Sequence, residues 1–112
     1  MRRWAVGGVA SAQLVALAWG SWLLAGMSDV EVKVFQFRPG RLDVKVGSSV
    51  TWVNQDDIGH TVTSGTPASP GGTFDATLAG TGSTTTVTFA PRGVYPYFCS
   101  RHQAMRGEIR VQ

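Results

Sequence analysis

Between Val30 and Val111 the apolar residues recur at every second position in short runs, and no stretch after Met27 keeps a 3.6-residue period. Alternation of this kind builds half-buried strands, because successive side chains of an extended chain point to opposite faces. Val30, Val32 and Val34 alternate with Glu31 and Lys33. The alternation then slips as Phe35 and Phe37 take the apolar role, which predicts a bulge or twist near Val34 to Gln36. Leu42, Val44 and Val46 form a second run, and Val50, Trp52 and Asn54 share one face of a third. Thr61 and Val62 begin another strand, Thr73 to Leu78 reads as a short extended piece, and Thr84 to Phe89 is a strand with a hydroxyl-bearing face. Turn signals separate these runs at Pro39-Gly40, Gly47-Ser48, Gly80-Thr81-Gly82 and Pro91-Arg92-Gly93. Ser64 to Gly72, with two prolines, reads as an irregular surface loop. Many short strands in a chain of 112 residues predict a single all-β domain, a β-sandwich. Trp52, Phe37, Phe89 and Tyr97 are its expected large core residues.

The first 27 residues are of a different kind. Arg2 and Arg3 are followed by an uncharged, apolar run from Trp4 to Met27. A signal peptide has an apolar core of roughly 7–15 residues and a membrane span roughly 20. The run suits either a cleaved signal or a retained anchor helix, so residues 1–27 are expected to be one or the other and residues 28–112 the folded domain. In both cases the positive end stays inside and the domain lies in the periplasm or on an extracytoplasmic face. Membrane contact is expected only through residues 4–27. Without Arg2 and Arg3, eight basic residues stand against seven acidic ones. No basic face for nucleic acid is implied. The single cysteine excludes an internal disulfide, and an exported free thiol needs protection.

Its surroundings suggest what protects it. The segment from Val94 to Val111 reads V-Y-P-Y-F-C-S-R-H-Q-A-M-R-G-E-I-R-V. Cys99, His102 and Met105 are soft or borderline donors that suit copper better than magnesium or calcium. On a helix Met105 would point away from Cys99, so the three converge only if the segment is a compact loop. Tyr95 and Tyr97 alternate into Cys99 as strand residues do, and Gly107 restarts a strand through Ile109 and Val111. The one other histidine, His60, completes a set of two imidazoles, a thiolate and a thioether, the donor set of a blue-copper electron-transfer site.

The chain here resembles the cupredoxin family of small type 1 copper proteins, in its amicyanin-like and plastocyanin-like form. The matching pattern is F-x-P-x-x-L-x-V-x-x-G-x-x-V-x-W-x-N over Phe37 to Asn54, then D-D-I-G-H over Asp56 to His60, F-D-x-x-L over Phe74 to Leu78, and Y-x-Y-x-C-x-x-H-x-x-M-x-G over Tyr95 to Gly107. The Cys-x-x-His-x-x-Met spacing is the short, amicyanin-like version. Ser100-Arg101 and Gln103-Ala104 stand where amicyanin-like loops usually carry prolines, and Gly59 before His60 is closer to azurin. The resemblance implies a Greek-key β-sandwich and one copper ion. Cys99, His60 and His102 would form the trigonal set and Met105 the long axial ligand. It implies a monomeric one-electron carrier, not an enzyme, cycling between Cu(I) and Cu(II). His102 would be the electron's entry and exit point, and a dehydrogenase, cytochrome or oxidase would be the redox partner. Arg101 and Arg106 flank the loop as solvated charges or as a means of steering an acidic partner.

Other readings of the same residues are available. Zinc binds Cys and His, but structural zinc prefers four strong N/S donors. A copper-handling protein, for delivery or sequestration, would use the same ligands, although no further Met or His cluster is present to pass the metal on. Multicopper oxidases need more than two histidines, and a nitrite reductase needs a second copper site. Asp56 and Asp57 are expected to cap the turn after Asn54. Phe98 either packs beneath a loop or is exposed beside the copper.

Overall fold

The computed structural model describes residues 25–112; the expected signal or anchor segment 1–27 lies outside them up to residue 24, and its last residue, Met27, opens the first strand. Among the described residues nine strands follow one another: β1 (Met27–Lys33), β2 (Gln36–Arg38), β3 (Arg41–Val44), β4 (Ser48–Asn54), β5 (His60–Thr66), β6 (Ser69–Leu78), β7 (Thr84–Phe89), β8 (Gly93–Phe98) and β9 (Arg106–Val111). The described residues contain no helix. One sheet has the order β2-β1-β4-β7 and the other β3-β9-β8-β5-β6. Pairing is antiparallel except for β1 with β4 and β3 with β9, which run parallel. The sheets pack face to face through the apolar residues that alternate along strands such as β1 and β4. β4 shows this best: Ser48, Val50, Trp52 and Asn54 are buried and the residues between them are not.

The four expected aromatic core residues are all buried. Trp52 of the first sheet meets Tyr97 of the second edge-on at 5.3 Å, and Tyr97 meets Phe37 at 4.7 Å. Gly107 lies opposite Tyr97 in the ladder, and any Cβ there would run into the Tyr97 ring. Burial pushes the Tyr97 hydroxyl up to about 12, with the nearby Trp52 N–H offsetting part of the rise. Neither group closes a hydrogen bond of good geometry. Phe98 is also buried, which settles it as a packed residue.

Two expectations are corrected. The slip after Lys33 is not a bulge but a hairpin: β1 and β2 pair antiparallel with Lys33 opposite Gln36. Val34 and Phe35 form the two-residue turn with φ of 53° and 57°. Positive φ at both central residues is the signature of a type I′ turn, normally built from Asn and Gly. Ser64 to Gly72 is not a loop either. β5 and β6 form a hairpin that turns at Pro67-Ala68, with a register shift between Thr63 and Gly65. Gly65 has φ 94°, and a Cβ on it would collide with the backbone of Ser69 and Gly71. Pro70 is accommodated because β6 is an edge strand.

The strand directions give the sandwich two unlike poles. At one lie the β1–β2 turn, the C-terminal end of β4 and the N-terminal end of β5. At the other, Ser49 N–H donates to Gly26 O at 3.1 Å and Gln112 N–H to Val44 O at 2.9 Å. Met27, at that second pole, is 86% exposed.

Candidate metal centre

Three chain segments meet at the first pole. β5 begins with His60, β8 ends at Phe98 with Cys99 immediately after it, and the short connection to β9 carries His102 and Met105. That connection is the compact loop its spacing requires. Cys99 N–H donates to Met105 O at 3.2 Å, and Met105 N–H to His102 O at 2.9 Å. Cys99 and Met105 are both buried in the core cluster. His60 is fully buried, whereas His102 is half-buried.

Thr61 fixes Cys99 against β5. Its N–H donates to Cys99 Sγ at 3.4 Å, and its Oγ1 accepts the Ser100 N–H at 2.7 Å. The same hydroxyl lies 3.0 Å from Thr63 Oγ1, which donates to Asp75 Oδ1 at 2.9 Å. Asn54, also buried, shapes the Gln55–Gly59 connection. Its amide donates to Ile58 O at 3.0 Å and Leu78 O at 3.3 Å, and its Oδ1 accepts the Asp56 N–H at 3.0 Å. The expected cap of this turn is therefore Asn54, not the aspartates. The Asp56 carboxylate reaches elsewhere, accepting from Val34 N–H at 2.7 Å and Phe35 N–H at 3.1 Å, and lying 2.8 Å from His60 Nε2. Desolvation pulls the Asp56 pKa up, but the hydrogen bonds from Phe35, Val34 and His60 outweigh it and hold it below the usual 3.8.

These supports leave one atom of each donor facing a common point. Cys99 Sγ is 3.8 Å from His60 Nδ1 and 3.8 Å from His102 Nδ1, and all three atoms lie within 4.8 Å of one another. Among the described residues, no other group of His, Cys, Asp or Glu gathers in this way. A d-block ion bound at about 2.3 Å to sulfur and 2.0–2.1 Å to nitrogen, with about 120° between bonds, sets the two donors about 3.7–3.8 Å apart. The observed spacing fits one. Two imidazoles and a thiolate with a thioether alongside select copper; a closed zinc site would want a fourth strong donor.

Phe35 covers the cluster from outside. Its ring meets His60 at 5.2 Å and His102 at 4.7 Å, both edge-on. Arg101 reaches back over Gly59, where a Cβ would lie 2.7 Å from its Nη1. Sequence reasoning placed His60, Cys99, His102 and Met105 at this pole but missed Phe35, Asn54, Thr61 and the reach of Asp56. For Asp56 the available signal was its position four residues before His60.

A two-sheet β-sandwich with a His–Cys–His cluster at one pole is the design of the small blue copper proteins. Residues 25–112 match the family model of copper binding proteins, plastocyanin/azurin family, and the chain belongs to that family. It is 27% identical to amicyanin-alpha of Methylorubrum extorquens over 88 residues, covering 79% of this chain and 74% of that protein. It is 34% identical to a chloroplastic plastocyanin of Tetradesmus obliquus, covering 68% of this chain and 58% of that one. Among solved structures it is similar to a purple cupredoxin from Nitrosopumilus maritimus, with TM-score 0.69, 26% identity, and coverage of 76% and 99% of the two chains. A Cu(I) form of an amicyanin variant gives a TM-score of 0.64 at 29% identity, covering 80% of this chain and 86% of the other. Copper is the cofactor that family and donor set together define.

Proposed function

We propose that the protein is a monomeric one-electron carrier working outside the cytoplasm between redox partner proteins, in which Cys99, His60, His102 and Met105 would hold copper. The single observation that carries this is the common 3.8 Å spacing of Cys99 Sγ from both Nδ1 atoms. When bound, copper supplies the one-electron couple. The chain supplies the rest. Thr61 holds the sulfur, Asp56 and Asn54 hold His60 and its connection, and the buried Met105 and the Phe35 ring keep water away. Little has to reorganise when an electron moves, because the donors stand on strand ends or on a loop closed by its own hydrogen bonds. His102, the less buried histidine, is the proposed point of electron entry and exit. Arg101 and Arg106 give its surroundings a cationic rim suited to an acidic partner, an attraction that rising salt weakens. Residues 1–27 are the proposed export signal or anchor and 28–112 the working domain.

The test is spectroscopic. With Cu(II) added, the protein should show an intense thiolate-to-copper visible band and a narrow copper hyperfine splitting, and Cys99→Ser should lose both. Reversible redox cycling then supports electron transfer. A site that loads copper but yields it readily to a competing chelator would favour copper handling instead. Preferential uptake of zinc would overturn the copper assignment.

A further inference from the structure

Asp56 joins parts of the chain that are otherwise separate. Its Oδ1 holds Val34 N–H, and its Oδ2 holds both Phe35 N–H and His60 Nε2. The carboxylate is 12% exposed and the His60 side chain is not exposed at all. An ionised carboxylate only accepts, so the hydrogen of a neutral His60 must sit on Nε2. The lone pair of Nδ1 is then left facing Cys99 Sγ. A backbone carbonyl could impose the same tautomer. A carboxylate also brings a fixed negative charge one hydrogen bond from the ring, which raises the basicity of the imidazole.

The same group sets the second histidine's surroundings. Val34 and Phe35 stand in the left-handed region, which a β-branched or bulky residue rarely occupies. Their N–H groups are held there by Asp56, and the turn delivers the Phe35 ring to both His60 and His102. One side chain thus acts on one histidine directly and on the other through an aromatic ring.

We infer that Asp56 is a positioning residue of the metal centre: it fixes His60 with Nδ1 toward Cys99, seats Phe35 over both histidines, and biases the centre toward its oxidised state. This rests on the proposed ligation by His60. The bias follows because a nearby negative charge and a more basic imidazole favour the more highly charged of the two copper states.

Asp57 provides the internal control, being the adjacent acid, exposed, and without a bond to His60. In the full chain, Asp56→Asn should keep the blue band and raise the reduction potential. The expected change is roughly tenfold or more in the preference for Cu(I) over Cu(II), the scale of effect of a ligand's outer partner. For one electron, tenfold is about 59 mV. Asp57→Asn removes the same charge and should move the potential far less. Equal shifts in the two variants, or none in Asp56→Asn, would overturn the assignment. Should Asp56→Asn fail to fold, the apo wild type still decides the tautomer by long-range nitrogen–proton NMR. A slowly exchanging Nε2 proton on His60 is expected, and an Nδ1 proton would overturn the role. Failure of the copper reading itself would be visible separately, as a wild type that never turns blue.

Discussion

His60 and His102 present the same ring atom to Cys99 at the same 3.8 Å, yet they reach it from two unlike regions. His60 opens β5, is completely buried, and has its far nitrogen tied to Asp56. Asp56 is in turn tied to a hairpin more than twenty residues earlier in the chain. His102 stands in a loop of a few residues that is closed by its own backbone bonds and tied to β5 at its start through Thr61, and its ring meets those of Phe35 and His60. The first region is held by long-range contacts, whereas the second is closed by local bonds and joined to β5 at its Cys99-Ser100 end. A site meant to keep its geometry while meeting a partner needs both kinds: one donor anchored in the core, one left near solvent.

The strongest way to break this comparison is to delete each ring in turn. His102→Gly should lose the blue band and regain it when free imidazole is added, because the vacated position opens toward solvent. His60→Gly should lose the band with far weaker rescue, because its cavity lies beneath Phe35 and Asp56. Equal rescue of the two by the same imidazole titration would mean that they do not differ in access. A smaller effect should come from the hairpin that serves His60. Val34 is a β-branched residue at φ 53°, a region Asn tolerates far better. Val34→Asn should stabilise the apo protein by about 1 kcal/mol in urea unfolding, and a loss of stability would mean that the turn is not strained. The smallest expected effect is on pH dependence. Asp56 has a folded pKa below its unfolded value of 3.8. The stability it contributes is therefore present above that value and is lost as pH falls through the folded pKa. Apo Asp56→Asn should show a shallower loss of stability in acid than wild type, and identical slopes would remove Asp56 from the account.

The parts legible in the sequence are those whose cause is local. Val50, Trp52 and Asn54 reveal β4 because burial on one face leaves a period of two. The metal cluster was legible because the only cysteine and both histidines fall at spacings that one loop and one strand end can bring together. The hairpin at Val34-Phe35 was hidden, since neither residue favours positive φ and what stabilises it is a carboxylate from a distant connection. The β5–β6 hairpin was hidden for the opposite reason. Gly65, Pro67, Pro70 and Gly71 look like loop residues, but an edge strand with a register shift accommodates them. Met105 was expected as a metal ligand in a compact loop; the loop is there, closed by Cys99 N–H to Met105 O and Met105 N–H to His102 O, with Met105 buried in the core cluster.

The parallel pairing of β1 with β4 also decides how the molecule can be held. Met27 and Gln112 both lie at the end of the sandwich away from the histidines, separated from them by a strand of seven residues, about 20 Å. Anything fused or immobilised at either site, whether a carrier domain, a bead or an electrode surface, takes hold of the blunt end. The histidine face then stays turned outward, free to meet a soluble partner, and the grip and the redox contact need never compete for the same surface.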